Sequence, residues 1–181
     1  AAIEACVDLH SMVDIFLIEE LVKDCDWGAT SFYMCKRKGD NHLYFVSPWD
    51  FDLTMGSYSS SLTITGIISH ATYGNEWFEE LHNQPWFIEM VRARMNSLED
   101  DLNRCLDTVY SYAQALRPYA DQNDELWQLY GVNYHEYVSP QVSGLLFTYD
   151  EHVGFIHDWA LYRWAEIRKY YPARSKSPYQ N

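Results

Sequence analysis

Only one stretch of this sequence reads as β structure, and it is too short to form a sheet that stands alone. Residues 32–36 (Phe-Tyr-Met-Cys-Lys) and 43–46 (Leu-Tyr-Phe-Val) favour extended backbone, and Lys38-Gly39-Asp40-Asn41 between them is a turn sequence. A lone hairpin is marginal in water and must pack on something larger. The rest of the chain offers helices, so the expected fold class is mainly α with a small β-hairpin.

Ahead of the hairpin, Val13, Phe16, Leu17 and Leu21 recur at three- and four-residue spacing. Asp14, Glu19, Glu20 and Lys23 fall mostly between them, which predicts a helix with Glu19 and Glu20 on its polar side. Asp8 or Ser11 suits its N-cap, and Asp24-Cys25-Asp26 followed by Gly28 ends it in a loop. Beyond Gly56 comes a Ser-rich loop over 57–61. A short helix is expected over 76–82 and a second from Pro85, carrying Phe87, Ile88, Val91 and Met95. A third, with Leu102, Leu106, Val109 and Ala113, should stop before Pro118. The pattern over 121–130 is weaker. The closing helix spans 148–171, with Thr148-x-x-Glu151 as a capping box and Pro172 as its stop. A polar, frayed tail is expected over 173–181. Trp77, Trp86, Trp127, Trp159 and Trp164 read as helix-packing residues, and Trp49 and Phe51 as core or hinge aromatics. No internal repeat or domain linker interrupts the 181 residues.

Nearly half the residues are apolar and 17% are aromatic, enough for a real core. A net charge of -13 argues against nucleic acid, which needs clustered Lys and Arg, and suits a basic protein partner. The longest aliphatic run, 15–18, falls far short of the roughly 20 apolar residues of a membrane span. There is no C-x-x-C, no H-E-x-x-H, no G-x-G-x-x-G and no Walker A loop.

The candidate chemistry lies in the order of three elements. A helix ends in an acidic loop at Asp26, the hairpin follows, and a second acidic cluster, Asp50-Phe51-Asp52, stands at its exit. Protein kinases order their parts this way: a catalytic-loop Asp accepts the acceptor hydroxyl's proton, and an Asp after the hairpin holds the metal on the ATP phosphates. Hard Mg²⁺ or Mn²⁺ prefers carboxylate oxygens. In this reading Asp26 is the base, Asp50 the main metal ligand, Ser31 stands five residues after the base at a metal-binding position, and Asp52 is a second ligand or electrostatic partner.

Asp14-Ile-Phe-Leu-Ile-Glu-Glu-Leu21, Cys25-Asp26-Trp27, Ser31-Phe-Tyr-Met-Cys-Lys36, Leu43-Tyr-Phe45 and Pro48-Trp-Asp-Phe-Asp-Leu53 with Gly56 closely resemble the spore-coat protein H (CotH) kinase family. The resemblance covers most of residues 8–171. It implies the C-terminal lobe of an atypical protein kinase fold, ATP with Mg²⁺ or Mn²⁺, and transfer to Ser hydroxyls of a protein, Ser-rich and basic or of the spore coat. It further implies a spore-coat or extracytoplasmic, cell-surface setting. The nucleotide-anchoring lobe is expected upstream of Ala1, leaving this fragment inactive alone. The chain carries Asp24 where the family often has Asn, Ser47 where Gly is usual, and Ser57 where Asn often follows the glycine. Two other readings stay open at this point. One is a non-catalytic scaffold on the same fold. The other is a different dicarboxylate enzyme, with Asp50-x-Asp52 as a sugar-nucleotide motif or Asp26 and Asp50 as a glycosidase pair.

Overall fold

The computed structural model describes residues 3–28, 30–58, 61–68, 75–131 and 145–173. Ser59 and Ser60, and the expected tail after Ala173, lie outside the described residues. Five helices and one antiparallel hairpin make up the described fold: α1 (Leu9–Val22), β1 (Tyr33–Lys36), β2 (Leu43–Val46), α2 (Glu76–His82), α3 (Pro85–Ser97), α4 (Glu99–Trp127) and α5 (Tyr149–Tyr170). The mainly helical class expected from the sequence is observed.

Asp8, not Ser11, caps α1, accepting the Ser11 N–H at 2.8 Å. The Ser11 hydroxyl accepts the Phe45 N–H at 3.2 Å and so fastens the helix to β2. The hairpin pairs Tyr33 with Val46 and Lys36 with Leu43. Gly39 takes a φ of 83° in its turn, a conformation that costs glycine nothing.

Helix α1 is the centre of the molecule, packed against α3, α5 and β2. Met12, Val13, Ile15, Phe16 and Leu17 are all buried, and at 100° per residue they occupy most of the helix circumference. The polar side expected at Glu19 and Glu20 does not exist: both are fully buried. Phe16 lies within 5.1–6.2 Å, centroid to centroid, of Trp27, Phe78, Phe87 and Tyr171. Phe78 in turn meets Phe45 at 6.0 Å. One aromatic cluster thus joins α1, the loop after it, the hairpin, α2, α3 and the residue ending α5. Each buried ring is worth about 1.5–3 kcal/mol of transfer free energy, and each edge-to-face pair about 0.5–1.5 more.

Helix α4 runs through Pro118 instead of stopping before it. Proline removes one helical N–H and crowds the carbonyl four residues back, at a cost of about 3 kcal/mol. Contacts with α5 offset this. Tyr149 donates its hydroxyl to the Ala113 carbonyl at 3.1 Å, next to the Gln114 carbonyl that loses its helical donor, and Arg117 pairs with Asp150. Thr148 and Glu151 form the expected cap of α5: the Glu151 N–H donates to the threonine hydroxyl, and its carboxylate accepts the Phe147 N–H at 2.7 Å. Trp159 and Trp164 pack as expected, whereas Trp77 and Trp127 are exposed.

Candidate active site

Asp26 is set between two anchors. Cys25 and Trp27 on either side are buried, and the Trp27 ring sits 4.8 Å from Phe78, so the intervening residue has little freedom. Asp26 itself is half-buried. Its N–H donates to Asp24 Oδ1 at 3.1 Å, an Asx turn that fixes the loop, and the Cys25 thiol donates to Asp26 Oδ1 at 3.7 Å. Gly28 closes the turn at φ 86°, where a Cβ would lie 2.7 Å from Asn75 Nδ2. Asn75 caps α2, so this loop and that helix are fitted to one another.

The second loop leaves β2 through a run of left-handed residues: Ser47 (φ 58°), Asp50 (φ 67°), Met55 (φ 49°) and Gly56 (φ 86°). Non-glycine residues there cost about 1–2 kcal/mol each, and such strain gathers where a loop must aim a side chain. Glycine at position 47, usual in the resembling family, is explained by this backbone. Asp50 stands before the 3-10 turn Phe51–Leu53 without spending its carboxylate on a cap, and Asp50 and Asp52 are both exposed. Trp49, expected as a core or hinge aromatic, is not in the core: it is 58% exposed and meets Tyr33 edge-on at 6.3 Å. The Met55 N–H donates to the Val22 carbonyl at 2.8 Å, which ties this loop to the end of α1 and so to Asp26.

Gly56 is packed against α5. A Cβ there would meet Phe155 at 2.9 Å and Trp159 at 3.1 Å. Gly56→Ala combines left-handed strain with overpacking, so it is expected to destabilise the fold by about 2–4 kcal/mol, measured by urea unfolding.

The charges show what meets. Asp24, 1% exposed, feels the negative charge of both Asp26 and Asp50. The two carboxylates expected to carry the chemistry therefore both act electrostatically on a third, buried one. Burial, opposed by the Asp26 N–H, pushes Asp24 up to about 6. Ser31 is buried at the approach to β1. No group of three His, Cys, Asp or Glu side chains among the described residues forms a ready metal cage. The donor set nevertheless suits a hard cation: Mg²⁺ takes one or two carboxylates and completes its shell with phosphate oxygens and water. Two surface clefts lined by described residues are bordered by Asp14 and Arg94, on the side of α1 that faces α3 and the start of α4.

The family model described as CotH kinase protein matches residues 1–167. The chain belongs to the CotH kinase family. No curated protein and no solved structure matches it. Membership relates the chain to kinases in general, and no helix among the described residues is long and apolar enough to cross a membrane.

Beside the loops, this CotH-family chain holds a buried polar network that the sequence did not reveal. The Arg163 guanidinium, fully buried, donates through Nε to the Glu20 carbonyl (2.8 Å) and through Nη2 to the Glu20 carboxylate (2.7 Å). Its Nη1 donates to the carbonyls of Ile64 (2.6 Å) and Gly66 (2.7 Å). Lys23, also buried, donates to the carbonyls of Thr63 (2.8 Å) and Thr65 (3.0 Å). The other Glu20 oxygen accepts the Ile68 N–H at 2.7 Å. Four successive carbonyls, 63–66, thus turn inward onto two cations, and the segment following the Asp50 loop is held in one path. Burial outweighs attraction in setting the charges: Glu20 rises to about 7 despite Arg163 and Lys23, and Lys23 falls to about 8.

Proposed function

We propose that this chain supplies the catalytic and metal loops of an atypical protein kinase that transfers the ATP γ-phosphate to a protein Ser or Thr hydroxyl. The observation that carries the reading is that the loops bearing Asp26 and Asp50, on either side of one hairpin, are both fastened to the end of α1, through the Asp26 N–H on Asp24 and the Met55 N–H on the Val22 carbonyl. Asp26 orients the acceptor hydroxyl and takes its proton. Asp50 holds the divalent cation, Mg²⁺ or Mn²⁺, with Asp52 and Ser31 as further oxygen donors. When bound, the cation supplies charge neutralisation for the transferring phosphoryl group. The left-handed backbone at Asp50 and the tie from Met55 to Val22 keep the two loops in fixed relation, which suits a reaction that depends mostly on positioning.

We place the glycine-rich cover and anchoring lysine on a lobe preceding Ala1, and the assays below use a kinase domain that includes it. The charge of -13 favours a basic, Ser-rich acceptor such as a coat or surface protein.

The roles of the two carboxylates separate in a melting experiment. Mn²⁺ with ATP is expected to raise the melting temperature of wild type and of Asp26→Asn, and to lose that effect in Asp50→Asn. Equal rises in wild type and Asp50→Asn would remove Asp50 from the metal role.

A further inference from the structure

Glu19 is a carboxyl group in a place that cannot hold a second charge. It is fully buried in α1, and no N–H or O–H of a described residue donates to Oε1 or Oε2. Asp24, 1% exposed, lies against it: its N–H donates to the Glu19 carbonyl at 3.4 Å, the two side chains are within hydrogen-bonding reach, and its own Oδ2 has no donor among the described residues. Asp24 Oδ1 is occupied by the Asp26 N–H at 3.1 Å. Among the described residues, the hydrogen bond left to these oxygens is between the two carboxyls, and two carboxylates cannot form it. One proton between them satisfies both.

The groups around them agree. Glu19 is faced by Asp24 and Glu20, and Asp24 by Asp26 and Asp50, all acidic. The nearby cations, Lys23 from the end of α1 and Arg163 from α5, act on Glu20. Burial first, then the Asp24 charge, pushes Glu19 up to about 9.

We propose that Glu19 works as a neutral carboxylic acid that donates its proton to Asp24, and that this hydrogen bond holds the Asp24 carboxylate in place to fix the Asp26 backbone. Glu19 is therefore a positioning residue for the base, and this part of the inference rests on the assignment of Asp26. Loss of the proton leaves two buried like charges beneath the base, so the loop is in register at neutral pH and released in alkali. The direction for stability follows. Between the ordinary carboxyl range and about 9 the folded chain keeps a proton that the unfolded chain has lost, so stability falls as pH rises through that window.

The test is an infrared and NMR pH titration of wild type, Glu19→Gln, Glu19→Ala and Asp24→Asn. At a pH between the values of Glu20, about 7, and Glu19, about 9, wild type should show a protonated-carboxyl stretch that Glu19→Gln lacks and that titrates at lower pH in Asp24→Asn. The Asp26 amide resonance should shift as Glu19 titrates in wild type and stay still in Glu19→Gln, whose amide replaces the proton donor. Its exchange protection should survive in Glu19→Gln and be lost in Glu19→Ala. In a kinase domain that transfers phosphate, Glu19→Gln should also extend the alkaline limb of the rate profile. No protonated-carboxyl band in wild type, a band that persists in Glu19→Gln, or an Asp26 amide indifferent to Glu19 overturns the proposal. These spectroscopic readouts need no turnover, so they decide the proton's place even if every transfer assay fails, which would count against the kinase reading instead.

Discussion

Asp26→Asn slows phosphoryl transfer by about 10²–10⁴-fold, the range for loss of a positioned general base, while Mn²⁺ and ATP still bind. The substitution keeps the shape of the side chain and can still accept the Cys25 thiol, so the loop survives it. Asp50→Asn acts at a different step. Losing the main cation ligand removes several kcal/mol of charge stabilisation, which at about 4 kcal/mol is about 10³-fold in rate. Asparagine tolerates the left-handed backbone of position 50 as readily as aspartate, so this loss is not a folding defect. Raising the Mn²⁺ concentration should rescue part of the Asp50→Asn activity and none of the Asp26→Asn activity. Rates measured across a Mn²⁺ titration check both expectations.

Arg163→Ala is expected to cost about 3–5 kcal/mol, the range for breaking a buried ion pair by removing one partner. It would leave the Glu20 carboxylate buried with the Ile68 N–H and Lys23, and strip donors from the carbonyls of Glu20, Ile64 and Gly66. A domain's whole stability is about 5–15 kcal/mol, so this is a large share of it. The segment over 61–68 should open first, because its carbonyls face the arginine. Hydrogen exchange at Ile68 and equilibrium urea unfolding check the two parts. Arg163→Lys should recover little, since an ammonium cannot reach two carbonyls and a carboxylate in the guanidinium's fixed fork.

Much of this architecture can be read along the chain. Gly39 and the runs around it give the hairpin, Asp8 and Thr148 give two helix starts, and Pro85 gives a third. The order of Asp26, hairpin and Asp50 is visible because each is marked locally by a turn or helix end. The errors share a cause in tertiary structure. Glu20 looked like part of a solvated helix side because its partner Arg163 comes from α5, more than 140 residues away, and Glu19 because the loop that buries it against Asp24 folds back over the helix end. A local signal existed: at 100° per residue Glu19 and Glu20 fall in the same arc of α1 as Met12, Val13 and Phe16. Pro118 looked like a stop because the α5 contacts that offset it are distant in sequence. Asp24 looked like a loop residue beside the base; its importance appears only with its burial against Glu19 and its bond from the Asp26 N–H.

The central claim is that these two loops move a phosphoryl group. The most direct measurement is transfer of labelled γ-phosphate from ATP to a Ser-rich, basic acceptor protein by the kinase domain containing this chain, with Mg²⁺ or Mn²⁺. Wild type should transfer label to acceptor hydroxyls only with the cation present, and Asp26→Asn and Asp50→Asn should fall to background or near it. A well-folded wild type that transfers no label with either cation, or transfer that survives both substitutions, would contradict the account.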